Sequence, residues 1–479
     1  MKKKFVRDIS ASSLQFAINQ LTGIFIFYIT SRFLDKNSFG ELNWSVAVLV
    51  TIFNILGGGI DQIVVRKIAS KIDTDFLLKI YLVHVLINGT IFYGALLFSS
   101  WIFPGFFSIH YLLVYLAVSQ LFTFFSLPFK QVATGEEQFR LLFYMSTCSN
   151  IVKTIGLLVL LQFPPLNMMK VSYLYILSSA IELIVCLIFS KTLESKSLTG
   201  KWNRLYYKDL IKESLPQLGS VIFNSAVARF DWIVLGLLAS SQVIAEYSFA
   251  YKVFELSTLP LLILAPLLLP RFTRFFNAPL PERSDKTQEL FVLLRIEMIC
   301  AACIILVLNI LWVPVIDAVT NNKYGAVNSV NILLLSACLP FLFLNNFIWT
   351  IHFAQGRLTF IFRVISITFL INILGDLILI PFYSGLGAAI AYFSAIIIQT
   401  IIYMKNTKVS AIPVEKAWYP LISCSMIALV SGFSSKWIFS NIWLQFFCCI
   451  ALFVALIITT GQFRRNDWLI FKKAIGIGI

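Results

Sequence analysis

Ionisable side chains set inside long apolar runs are where this 479-residue sequence has the means for chemistry. Lys153, Glu182, Arg229 and Asp231 fall near the middle of such runs, Lys252 and Glu255 one turn apart in another, Asp376 towards the end of a further one, and Asp61 beside Arg66. Charge within lipid is rare and costly, so each such group marks an ion or ligand path unless a neighbour neutralises it. The spacing predicts two internal pairs, Lys153 with Glu182 across adjacent helices and Lys252 with Glu255. Arg229 and Asp231 are two positions apart, about 200° around a helix, and cannot face the same side. A guanidinium at that depth suits a phosphate, which it grips with two parallel hydrogen bonds, whereas a lone carboxylate suits a proton or sodium ion. Arg229 is thus the foremost anion-binding candidate, and Asp61, Asp231, Glu255 and Asp376 are the ion-coupling candidates. Glu246 and Glu297 read as close enough to an interface to be solvated.

The elements holding these groups follow from composition. Apolar residues make up 59% of the chain and charged ones 13%, with a mean hydropathy of +0.85; soluble proteins carry about 25% charged residues. A spanning helix needs about 20 apolar residues. Fourteen such segments are readable: 10–31, 42–64, 80–102, 111–129, 141–162, 171–190, 216–238, 244–268, 296–316, 329–351, 364–382, 385–404, 417–435 and 438–460. The expected fold is an all-α, polytopic membrane protein. Of the 38 Lys and Arg residues, thirty fall on the side of the N-terminus, five (Arg32, Lys36, Lys170, Lys323, Lys436) on the other, and three within spans. Positive residues stay inside, which places both termini in the cytoplasm and the protein in the cytoplasmic membrane, against anionic lipid rather than nucleic acid. The basic start carries no cleavage site, so the first helix is expected to remain as an anchor. All eight cysteines fall in apolar segments, where packing is the expected role even for the metal-like spacing of Cys300 and Cys303.

The long basic stretch 191–215 follows the sixth segment and reads as a linker. It divides the chain into an N-terminal lobe (1–190), a C-terminal lobe (216–404), and a pair of extra helices with a basic tail (405–479). A shift of 205 residues superimposes the two openings: Asn19 meets Asn224, Phe25 meets Phe230, Glu41 meets Glu246 and Val48 meets Val253. The halves therefore read as parallel repeats. Ser12, Gln15, Asn19 and Thr22 share one helix face, as do Gln217, Ser220, Asn224 and Asp231. Such stripes face either packed helices or a watery cavity.

The stretch Thr30 to Ala69, with Arg32-Phe33-Leu34, Phe39-Gly40, Gly57 to Gly59 and Arg66, resembles the first hairpin of polysaccharide and O-antigen flippases. Phe223 to Leu256, with Asp231, Leu235-Gly236, Tyr247 and Ala250, resembles the matching hairpin of the second lobe. Such proteins belong to the multidrug, oligosaccharidyl-lipid and polysaccharide (MOP) exporter superfamily. The resemblance implies two six-helix lobes around a V-shaped cavity and alternating-access movement of a polyprenyl-pyrophosphate-linked oligosaccharide, with polysaccharide polymerase machinery as a further partner. It assigns the pyrophosphate to Arg229, then to Lys153, Lys252 and Arg66; Asn19, Asn224, Gln217 and Ser220 are candidates to bond the sugar hydroxyls.

Three other readings compete. A drug exporter of the same superfamily often carries an acidic residue in its first helix, and none lies between Ile9 and Ser31. Fourteen spans also resemble lipid II flippases. A membrane enzyme such as a sugar polymerase needs catalytic groups in a sizeable outer loop, and no such loop is evident; His84, His110 and His352 are scattered. No glycine-rich phosphate loop is present and no cofactor or metal is expected, so a gradient or consumption of the product would drive net flow.

Overall fold

The computed structural model describes residues 2–70, 74–190, 203–277, 280–407, 414–464 and 467, with side chains described from residue 12 onward except at 220, 224–228, 262–267, 270, 277, 280–286, 289 and 414. The linker residues 191–202 and most of the basic tail lie outside that set, as do the side chains of the candidates Ser220 and Asn224.

In chain order the helices are α1 (Lys2–Phe33), α2 (Lys36–Leu56), α3 (Ile60–Ala69), α4 (Thr74–Ile102), α5 (Pro104–Ile109), α6 (Tyr111–Gly135), α7 (Phe139–Leu160), α8 (Met168–Ser190) and α9 (Arg204–Leu238). They continue with α10 (Ser241–Ser257), α11 (Leu259–Asn277), α12 (Leu280–Thr320), α13 (Ser329–Ala337), α14 (Leu339–Ala354), α15 (Leu358–Asn406), α16 (Trp418–Ile438) and α17 (Ile442–Thr459). All fourteen apolar segments lie mostly on helices, and ten helices among the described residues are long and apolar enough to cross a membrane. The polar-striped α1 and α9 are not in that set. The chain is an all-helical, multi-pass membrane protein.

Local chemistry explains where spans break. Asp35 caps α2 by accepting from the Ser38 amide at 2.9 Å. The second span divides into α2 and α3 at Gly57–Gly59, and Gly59 adopts φ 67°, a conformation that side chains resist. Two more spans divide just ahead of Pro260 and Pro340, whose rings cannot continue the preceding turn. The eleventh and twelfth segments are two helices, together labelled α15, that meet without a loop at Ser384, whose φ 50° and ψ −128° are not helical.

Two compact units emerge, residues 1–245 and 246–479, with the division inside α10. In the first, α6 packs on α8 and α4, α1 and α8 on α7, and α9 on α2 and α3. In the second, α14 packs on α11, α12 and α15, while the C-terminal pair α16 and α17 pack on each other and on α12.

Candidate functional site

The polar stripe of α1 meets α7. Asn150 Nδ2 donates to Asn19 Oδ1 at 3.0 Å, so Asn19 spends its acceptor on a neighbouring helix, as stripes on packed helices do. One turn on from Asn150, Lys153 projects from α7 onto α8, its Nζ 4.6 Å from the centre of the Tyr175 ring. The expected pairing of Lys153 with Glu182 does not form. Glu182 accepts instead from Lys130 and, at 3.0 Å, from Ser126 Oγ. Lys130 counts among the thirty cations on the inner side, just beyond the apolar segment 111–129, but α6 continues to Gly135, so it reaches Glu182 from within the helix.

On α9 the guanidinium of Arg229 lies over the Trp232 ring at 4.4 Å. Among the described residues its Nη1 is buried without a hydrogen-bond partner and none forms an ion pair with it. An aromatic face offers a desolvated cation about 2 kcal/mol and leaves its N–H donors free; a charged hydrogen bond is worth about 1.5–3 kcal/mol. An incoming phosphate can therefore add to what Trp232 provides rather than displace it. Asp231 turns another way, as its position around the helix requires: it is 4% exposed and accepts from the Trp232 amide at 2.9 Å.

The remaining candidates are placed as follows. Gln217 is half-buried against Gly59: a Cβ at Gly59 would stand 2.7 Å from the Leu218 amide nitrogen, so glycine there lets α9 approach the α2–α3 break. On the far side of that break His84 Nε2 meets the Leu56 carbonyl at 3.0 Å and Nδ1 meets the Tyr207 hydroxyl at 2.9 Å. Asp61 is half-buried at the start of α3. Arg66, largely exposed, is engaged by Glu213 of α9, which also takes Lys67 at 2.9 Å. The hydrogen bond from Lys67, aided by the Arg66 charge, holds the Glu213 carboxyl below its ordinary range. Lys252 pairs with Glu255 at 2.8 Å, as expected. Asp376 is fully buried and accepts from Asn372 Nδ2 at 3.0 Å. Glu297 overturns its reading as a solvated group, being 1% exposed.

One constellation escaped the sequence reading. Glu41, 6% exposed, accepts from Ser241 Oγ at 2.9 Å and meets His110 Nδ1 at 3.1 Å, while the His110 ring lies 4.3 Å from Trp44. Trp44 in turn donates to the Ile233 carbonyl at 3.2 Å, seated over Gly236, where a Cβ would strike its indole. Together Glu41 and Trp44 fasten one end of α2 to α9 and α10, as Glu213 fastens α3 to the other end of α9. Glu41 had counted only as the repeat partner of Glu246, and His110 sits in a short connection where no pattern flags it. Among the described residues no three His, Cys, Asp or Glu side chains are grouped to hold a metal ion.

A family model described as "Polysaccharide biosynthesis protein" matches residues 5–276. Among solved structures the fold is similar to that of the lipid II flippase MurJ in an inward closed conformation, at 15% identity over 93% of this chain and 97% of that one, TM-score 0.71. It is similar also to an inward-facing multidrug resistance MATE family transporter of the MOP superfamily, at 13% identity over 88% and 99%, TM-score 0.63. A MOP superfamily transporter from Pyrococcus furiosus, described as having reverse polarity of its binding pocket, aligns at 13% identity over 90% and 96%, TM-score 0.55. No curated protein matches the sequence.

Proposed function

The chain belongs to the polysaccharide biosynthesis protein family, and from that premise we propose that it moves an oligosaccharide, carried on a polyprenyl pyrophosphate, across the cytoplasmic membrane by alternating access. The observation that carries this reading is Arg229, a guanidinium inside the apolar part of α9 with an aromatic ring beneath it and a buried Nη1 unpartnered among the described residues. A diphosphate offers that group what Trp232 does not, acceptor oxygens in bidentate geometry. The likeness of the fold to a lipid II flippase supports a lipid-linked cargo.

In this mechanism the guanidinium of Arg229 holds the pyrophosphate, and Lys153, whose only described contact for its charge is the Tyr175 ring, adds a second cation. Lys252 and Arg66 enter with Glu255 and Glu213 already bound, so each must exchange a carboxylate for the phosphate. Gln217, Ser220, Asn224 and the Asn19 amide N–H groups, which the bond from Asn150 leaves unused, bond sugar hydroxyls, while the polyprenyl tail stays in lipid. Asp61, Asp231, Glu255 and Asp376 are the groups through which an ion gradient acts. The basic segments facing the cytoplasm lie on anionic lipid, and a polymerase consumes the product on the other side.

The test is complementation of glycan export in cells lacking the activity. Arg229→Ala should abolish export while inserting into the membrane at wild-type level, and Arg229→Lys, which keeps the charge and loses the fork, should recover only part. Full export by Arg229→Ala overturns the assignment.

A further inference from the structure

Glu297 lies well inside the apolar part of α12, and among the described residues neither of its carboxyl oxygens has a hydrogen-bond partner. Its neighbour Arg295, about 200° away around the helix, is occupied by Asp467 at 2.8 Å and the Gly461 carbonyl. The helices packed against α12 bring other titratable groups: Arg271 and Arg274 on α11, His352 on α14, Cys424 and Lys436 on α16, and Cys448 and Cys449 on α17. None forms an ion pair or hydrogen bond with Glu297, and His352 is engaged by Thr407 at 2.7 Å. Met298, Ala301 and Ala302 on the same helix are buried with it. An isolated carboxylate in such a place would cost far more than any single contact returns, and a buried acid avoids that cost by holding a proton. A metal cation does not meet the same need, because it requires several oxygen ligands and no hydroxyl or amide of the described residues hydrogen-bonds to this carboxyl.

We propose that Glu297 is a proton-binding site of the second unit, occupied in this conformation and discharged when the helices around α12 repack, so that proton movement through it drives the transport cycle. The coupling half of this proposal rests on the transport reading above; proton occupancy does not.

The occupancy is read by infrared spectroscopy of the protein in liposomes at neutral pH. Wild type minus Glu297→Gln should show one carbonyl band of a protonated carboxyl, and the band should shift in heavy water after the protein has cycled. Glu297→Gln should fold and melt like wild type, since the amide reproduces the shape of the protonated acid, yet lose at least tenfold in glycan export; Glu297→Asp should recover part of it. A difference spectrum without that band, or wild-type export by Glu297→Gln, overturns the proposal. A band present in a protein whose Arg229→Ala variant still exports leaves Glu297 standing and removes the pyrophosphate site instead.

Discussion

Lys130 of α6 and Glu182 of α8 form a buried ion pair, completed by Ser126 on the same carboxylate oxygen. This pairing leaves Lys153 with the Tyr175 ring as its partner. Removing one member of a buried pair strands the other, at about 3–5 kcal/mol. Lys130→Met should therefore lower the melting temperature in detergent markedly. Lys130→Met with Glu182→Leu together should recover most of the loss, because apolar replacements of both partners are close to neutral. Additive losses in the double variant would contradict the pairing.

For Lys153 the expectation is the reverse. Its ring contact is worth at most about 2 kcal/mol, so Lys153→Met should melt near wild type while reducing glycan export severalfold. Equal export by the two proteins would remove Lys153 from the cargo site.

Gly236 admits the indole of Trp44 where no other residue would. Gly236→Ala should cost about 1–3 kcal/mol by overpacking and break the hydrogen bond from Trp44 to Ile233. Adding Trp44→Phe, a smaller ring, should restore part of the stability. A thermal melt unchanged by Gly236→Ala would show that α2 and α9 do not approach as described.

The contact between α3 and α9 carries a pH signature. Glu213 titrates below its ordinary range, chiefly through its hydrogen bond to Lys67, and Lys67 titrates above its own. A depressed carboxyl contributes fully above its unfolded pKa and loses that contribution as pH falls through its folded one; a raised ammonium loses its share only as pH rises through its folded pKa. The contact should thus hold across neutral pH and weaken in acid. Amide hydrogen exchange at the start of α9, corrected for intrinsic rates, should quicken on acidification in wild type and show no such step in Glu213→Gln.

Tyr207 and Leu56 meet at His84. With Nε2–H donating to the Leu56 carbonyl, Nδ1 is left to accept from the Tyr207 hydroxyl. Tyr207→Phe removes one neutral hydrogen bond and should cost about 1 kcal/mol. His84→Phe also strands the Leu56 carbonyl at the helix break and should cost more; the ranking can be read from melts of the two variants.

Helices were legible in the sequence because lipid demands long apolar runs, and each expected segment lies mostly on helix. Their breaks were not: the segments 42–64, 244–268 and 329–351 read as continuous, although Gly57–Gly59, Pro260 and Pro340 carry the cause of each division in their own chemistry. Nor were partners. Lys130 looked solvated because its helix runs on past the apolar run, and Glu297 was discounted for the same reason in reverse, lying near an end that proves to be interior. Which charge meets which depends on neighbours distant in sequence, and hydropathy holds no record of them. Arg229 was legible because a charge in mid-span needs no partner to be noticed.

Ser384 joins the two halves of α15 without any intervening loop, and Gly387 comes so near the Leu379 carbonyl that a methyl group would collide with it. The two legs are thereby welded at their shared tip. An epitope tag or protease site inserted at residues 383–385 should therefore prise that contact apart rather than merely decorate a loop.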